Sequence, residues 1–257
     1  MSIELAHITQ GDSGPPVVIL HGLLGSARNW STVAKQLGAT HRVFAIDLRN
    51  HGGSGWADSM TYDEMAEDVQ AFMRRQELQA AALIGHSMGG KVAMRLALAH
   101  GEEVEWLIVV DVAPVAYRRS FAAYIDVLRR LDLSRLARRS DAAAWLGDHV
   151  ADEGVRGFLL QNLVSVEGGF AWRVNLQALA DSMPELMGFP ESPSSELYDG
   201  PTLFVTGGRS DYVREEHRPA IMRLFPNARI IKIPDAGHWL HAEAPGKFLE
   251  VVRDFLG

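Results

Sequence analysis

The sequence predicts an α/β domain: a mostly parallel β-sheet with helices on both faces. Three observations predict it. Short apolar runs rich in Val and Ile recur along the chain, and longer segments of helical period separate them. The length of 257 residues suits one large α/β domain, since such domains routinely reach about 250 residues.

The elements follow in order. Ile3 to Thr9 alternates apolar and polar residues and predicts an antiparallel edge strand. Pro16 to Gly22, Arg42 to Leu48, Ala81 to Ser87, Trp106 to Asp111, Thr202 to Gly208 and Arg229 to Pro234 each read as a buried strand. The clearest helix is Tyr62 to Arg75, where Thr61 and Glu64 make the Thr-x-x-Glu pattern of a capping box. Other helices follow Ser87, precede Pro226 and close the chain from about Pro245 to Leu256. The rhythm breaks between Pro114 and Tyr198, which holds helical stretches, no convincing strand and a Pro- and Ser-rich end, and so reads as an insertion. This divides the chain into a core of residues 1–113 and 199–257 and an inserted segment of residues 114–198.

Composition removes several classes of function. The chain has no Cys, so a disulfide framework, a Cys-ligated metal and a cysteine nucleophile are excluded. Thirty-two acidic against 25 basic residues give a formal charge of −7, which repels nucleic acid and anionic membranes. The start, Met1-Ser2-Ile3-Glu4, places an acid where a signal peptide carries cations, and no apolar run approaches the roughly 18 residues of a membrane span. The chain is expected in the cytoplasm.

The sharpest motif is Gly85-His86-Ser87-Met88-Gly89-Gly90, a G-x-S-x-G where an apolar run gives way to a helical pattern. A Ser on so tight a turn presents its hydroxyl, and side chains two residues away on either side would collide, which explains the glycines. A hydroxyl needs a base to take its proton. His238, in Asp235-Ala236-Gly237-His238-Trp239, follows the last strand at the end where open α/β sheets build their sites. His241 is a weaker candidate, taken as surface or supporting. His21 is expected to shape a loop, and His51 and His86 to be structural. Two acids could orient the base, Asp211 after the strand that precedes that of His238, and Asp111 at the end of the strand after the nucleophile helix. Both keep the chain order Ser, Asp, His; Asp211 is preferred. The backbone N–H groups of Leu23, in His21-Gly22-Leu23-Leu24-Gly25, and Met88 are the expected oxyanion donors.

These residues resemble the α/β-hydrolase superfamily over nearly the whole chain. The HGLLGS loop, Asp47-Leu48-Arg49-Asn50-His51-Gly52-Gly53-Ser54, GHSMGG, Asp111-Val112-Ala113-Pro114 and AGHW are similar to the bacterial YbfF-like esterases and their mitochondrial α/β-hydrolase domain-containing relatives. The resemblance implies the α/β-hydrolase fold, Ser87 as nucleophile, His238 as base and an insertion folded as a helical lid. YbfF-like members often lack an acid at the place of Asp211 and use the counterpart of Asp111. The resemblance therefore narrows the preference for Asp211 without reversing it. Dehalogenase and epoxide-hydrolase relatives carry Asp at the position of Ser87, which argues against both chemistries.

The expected reaction is two-step hydrolysis of a carboxylic ester or thioester, with no metal or organic cofactor implied. The substrate is a small-molecule acyl compound, and Trp145, Phe158, Trp172, Phe170, Met183 and Met187 of the insertion are candidate pocket walls. Arg118, Arg119, Arg129, Arg130, Arg135, Arg138 and Arg139 concentrate cations in the same insertion. They read as solvated faces or, more sharply, as a greeting for an anionic leaving group such as coenzyme A. The rivals are a cofactor-free haloperoxidase or perhydrolase using the same triad, and a ligand sensor acting through a protein partner.

Overall fold

The structure, a computed structural model, describes residues 2–118, 121–191 and 196–257. Arg119 and part of the Pro- and Ser-rich stretch lie outside the described residues. The strands are β1 (His7–Gln10), β2 (Pro16–Leu20), β3 (Arg42–Ile46), β4 (Ala81–His86), β5 (Val104–Val110), β6 (Leu163–Val166), β7 (Gly169–Trp172), β8 (Thr202–Gly207) and β9 (Ala228–Ile233). The helices are α1 (Ser31–Leu37), α2 (Tyr62–Arg75), α3 (Met88–Ala99), α4 (Ala122–Arg130), α5 (Arg139–His149), α6 (Glu153–Leu160), α7 (Leu176–Asp181), α8 (Met183–Met187), α9 (Arg218–Leu224), α10 (Leu240–Glu243) and α11 (Pro245–Leu256).

The main sheet runs β1-β3-β2-β4-β5-β8-β9. All its neighbours pair parallel except β1, which lies antiparallel on β3 at one edge. Alternate residues of the central strands enter opposite cores. Val18, Leu20, Leu83 and Val109 join the core under α2 and α3, while Val17, Ile19, Ile84 and Val110 join the core under α1 and α11. Burial on both faces is why the central strand sequences are almost continuously apolar. Each such side chain contributes roughly 1.5–3 kcal/mol.

Local signals set the helix ends. Thr61 Oγ1 accepts from Glu64 N at 3.1 Å, and Glu64 Oε2 accepts from Thr61 N at 2.9 Å, so the capping box closes as its sequence predicts. Arg49, from the Asp47–Ser54 segment, pairs through Nε with the fully buried Asp68 of α2 at 2.6 Å and fixes that helix beneath the loop.

Residues 114–198 leave the sheet after β5 and return before β8. They carry α4 to α8, but also the antiparallel pair β6–β7, where the sequence suggested no strand. Glu167 and Gly168 turn between the two strands, and Gly168 takes a φ of +83° that suits glycine. The segment is tied to the core at defined points. Asn175 N donates to Asn50 O at 2.9 Å, and Tyr62 Oη of α2 donates to Leu186 O at 2.6 Å. Among the described residues no helix is long and apolar enough to cross a membrane.

Candidate active site

The candidate site residues gather at the carboxyl ends of the parallel strands, each just beyond its strand. Ser87 follows β4, Asp111 follows β5, Ser210 follows β8 and His238 follows β9. Ser87 has φ 51° and ψ −116°, a strained conformation for a residue with a side chain. Its two flanking glycines make that turn feasible. A Cβ on Gly85 would sit 2.2 Å from Gly89 O, and one on Gly89 would sit 2.5 Å from Leu20 O, so the turn packs backbone on backbone.

His238 Nδ1–H donates to Asp111 Oδ2 at 2.7 Å. Asp111 is fully buried and itself adopts φ 51°. Its second oxygen accepts from Gly207 N at 3.0 Å, and Ser210 Oγ donates to Oδ2. A carboxylate held by three donors keeps the imidazole proton on Nδ1, leaving Nε2 as the proton acceptor. The ring is further fixed by stacking on Tyr212, centroids 3.9 Å apart at 16°, and by His86 Nε2–H, which donates to His238 O at 2.9 Å.

The structure departs from the sequence preference at the acid. Asp111 meets His238, whereas Asp211 lines a separate open cleft with Arg118 and Arg214. Both follow a strand end, but the β8 loop turns Ser210 rather than Asp211 toward the histidine.

The loop after β2 is over-determined. Leu24 has φ 60°, its N–H donates to His51 Nε2 at 3.1 Å, and its carbonyl accepts from Asn162 Nδ2 at 2.8 Å. His21 Nδ1–H donates to Gly22 O at 2.8 Å, and its Nε2 accepts from Leu48 N at 3.0 Å. A ring nitrogen that accepts from a backbone N–H must be unprotonated, so both histidines are neutral. Burial accordingly lowers the pKa of His21, and drives that of His51 down to about 3. Held this way, the loop leaves Leu23 N–H without an acceptor among the described residues, as α3 leaves Met88 N–H. Leu23 and Met88 both line the space beside Ser87. One unspent donor in the loop after β2 and one at the N-terminus of α3 can together stabilise a developing negative charge.

Ser87 and His238 open into a cavity of about 420 Å³ whose walls include Trp30, Phe158 and Trp239. This is a mostly apolar chamber with a serine hydroxyl, an imidazole and the Leu23 backbone among its walls, an arrangement of groups that can serve acyl transfer. A family model described as the alpha/beta hydrolase fold matches residues 15–245. The chain belongs to the α/β-hydrolase family.

This α/β hydrolase is 40% identical to the mouse (Mus musculus) sn-1-specific diacylglycerol lipase ABHD11, over 97% of this chain and 84% of that one. It is 37% identical to esterase YbfF of Escherichia coli (strain K12), over 94% of this chain and 92% of that one. Among solved structures it is similar to a marine microorganism esterase, with a TM-score of 0.96 and 37% identity, covering 99% of this chain and all of that one.

Of the wall residues suggested by sequence, Phe158 lines the chamber and packs 5.7 Å from Trp239. Trp145 and Trp172 do not. They bridge a small core of Leu131, Ala142 and Leu163, joined by Phe170, and the main core, and Trp145 stacks on His149 at 4.1 Å. Met183 is buried in the main core, and Met187 reaches the side of Ser87. The arginines are mostly used locally. Arg129 donates to Gln177, Arg138 pairs with Asp141, and Arg139 donates to Leu163 O and Leu160 O. His241 is buried rather than superficial, stacked on Trp30 at 4.2 Å and 5°, and burial brings its pKa down to about 3. Sequence reasoning also passed over Ser210, Tyr212, Trp30, Trp239 and Lys91. The tryptophan beside His238 and the Lys four residues after Ser87 were the available signals.

Proposed function

We propose that this ester hydrolase works by two-step acyl transfer through Ser87. His238 Nε2 takes the Ser87 proton as the hydroxyl attacks the carbonyl carbon of an ester or thioester. The carbonyl oxygen, now negative, is met by Leu23 N–H and Met88 N–H. His238, positive in that moment, is stabilised by Asp111 and passes its proton to the leaving alcohol or thiol. Water then enters, His238 takes one of its protons, and the acyl-enzyme breaks to release the acid and restore Ser87.

The observation that carries this reading is the 2.7 Å bond from His238 Nδ1 to buried Asp111, facing the chamber that Ser87 also lines. Residues 114–198 act as the lid in this reading: they contribute Phe158 and Gln161 to the chamber, and Asn162 to the support of the donor loop. A cytoplasmic setting belongs to the same proposal. Ser87→Ala is expected to lower kcat for 4-nitrophenyl butyrate on the order of 10⁶-fold, as in other serine triads, at a nearly unchanged melting temperature. Hydrolysis at an undiminished rate would overturn the mechanism.

A further inference from the structure

We propose that Lys91 selects the acyl group: its ammonium closes a short side pocket beside Ser87 and takes the carboxylate of a short acyl chain that ends in one. This rests on the acyl-enzyme reading of Ser87.

Lys91 lies in the first turn of α3, four residues after Ser87, and is 2% exposed. Helical side chains lean toward the N-terminus, so its stem runs back toward the reacting serine. The pocket it lines measures about 30 Å³ and is shared with Leu23, Ser87 and Met88. That is room for roughly two water-sized groups, enough for a carboxylate but not for a long chain. The larger chamber on the other side of Ser87 is left for the alcohol or thiol part.

The charge of Lys91 is unmatched. Its Nζ donates to Gly188 O and, at 3.4 Å, to Met187 O, and sits 4.8 Å from the Tyr117 ring and 5.5 Å from the Tyr62 ring. These partners are neutral, and no carboxylate pairs with it among the described residues. The pocket walls contain no Asp or Glu. The tyrosine hydroxyls have their protons committed, Tyr62 to Leu186 O and Tyr117 to Tyr212 O. A buried cation without a counter-ion is costly, and burial brings the Lys91 pKa down to about 7. A substrate carboxylate supplies the missing charge, next to the positive end of α3.

The test compares kcat/KM for ethyl hydrogen succinate with that for ethyl 4-oxopentanoate, which replaces one carboxylate oxygen by a methyl group. Wild type is expected to favour the half-ester at least tenfold, and Lys91→Met to lower that ratio by about 30-fold, the scale of losing one buried charge pair. A wild-type ratio below one, or a ratio that Lys91→Met leaves unchanged, overturns the proposal and reduces Lys91 to a tie to Met187 and Gly188. Should Lys91→Met fail to fold, the wild-type ratio decides. Ser87→Ala run in parallel is expected to lose both esters. If it keeps both, the acyl-enzyme reading falls; if it loses them while the ratio test fails, only the role of Lys91 falls.

Discussion

Asp111→Asn is the most informative single change. Asp111 Oδ1 already accepts from Gly207 N at 3.0 Å, so an asparagine keeps its carbonyl oxygen there and turns its NH₂ toward His238 and Ser210. Facing a donor, His238 Nδ1 must become an acceptor and carry its proton on Nε2 instead. That tautomer cannot take a proton from Ser87. The same change in serine proteases costs about 10⁴ in kcat, which is about 5.4 kcal/mol at 1.36 kcal/mol per tenfold. Asp211→Asn, which alters a residue of the separate cleft, is expected to cost less than about threefold, well under 1 kcal/mol. The assay is kcat on 4-nitrophenyl butyrate at saturation, with circular dichroism confirming that both variants fold. An Asp111→Asn enzyme within tenfold of wild type, or an Asp211→Asn enzyme impaired more than Asp111→Asn, would refute the assignment of the acid.

Two further expectations concern stability. Gly89→Ala places a Cβ 2.5 Å from Leu20 O and 2.6 Å from His21 O, both backbone, and should cost about 2–3 kcal/mol, read as a lower melting temperature; Gly147→Ala, with nothing within 4 Å, is the control and should not destabilise. The buried histidines make the fold acid-sensitive. His51 and His241 fall from 6.5 to about 3 on folding, so between pH 6 and 4 the unfolded chain binds more protons than the folded one. Stability then decreases as pH falls, by up to about 2.7 kcal/mol per pH unit for the two together, with His21 and His86 shifted in the same direction. Urea midpoints at pH 7 and pH 5 measure this, and equal midpoints would contradict it.

The parts most legible in sequence were those with a local cause. The central strands carry apolar residues on both faces because both faces are covered, and the Thr61–Glu64 box marks a helix start through two hydrogen bonds of its own. Ser87, with its glycine neighbours, is legible for the same reason. The choice between Asp111 and Asp211 was not local. Each sits after a strand, and what separates them is the direction in which two loops turn once β5 and β8 are paired. The aromatic residues of the insertion show a related limit. Phe158, Trp145 and Trp172 are alike in type, yet one faces the chamber and two pack between the small core and the main one, which depends on how β6–β7 packs against the neighbouring helices. That hairpin was itself obscured by its brevity, four residues a side amid helical stretches. Lys91 was hidden in a helix whose pattern accommodates a lysine without comment, and only burial reveals it.

The central claim is that Ser87 becomes covalently acylated, and intact-protein mass spectrometry after treatment with a fluorophosphonate tests it most directly. The account predicts one phosphonyl adduct per chain, located on the peptide that contains Ser87 and absent from Ser87→Ala. A wild-type protein that stays unlabelled, or an adduct that persists in Ser87→Ala, would contradict it.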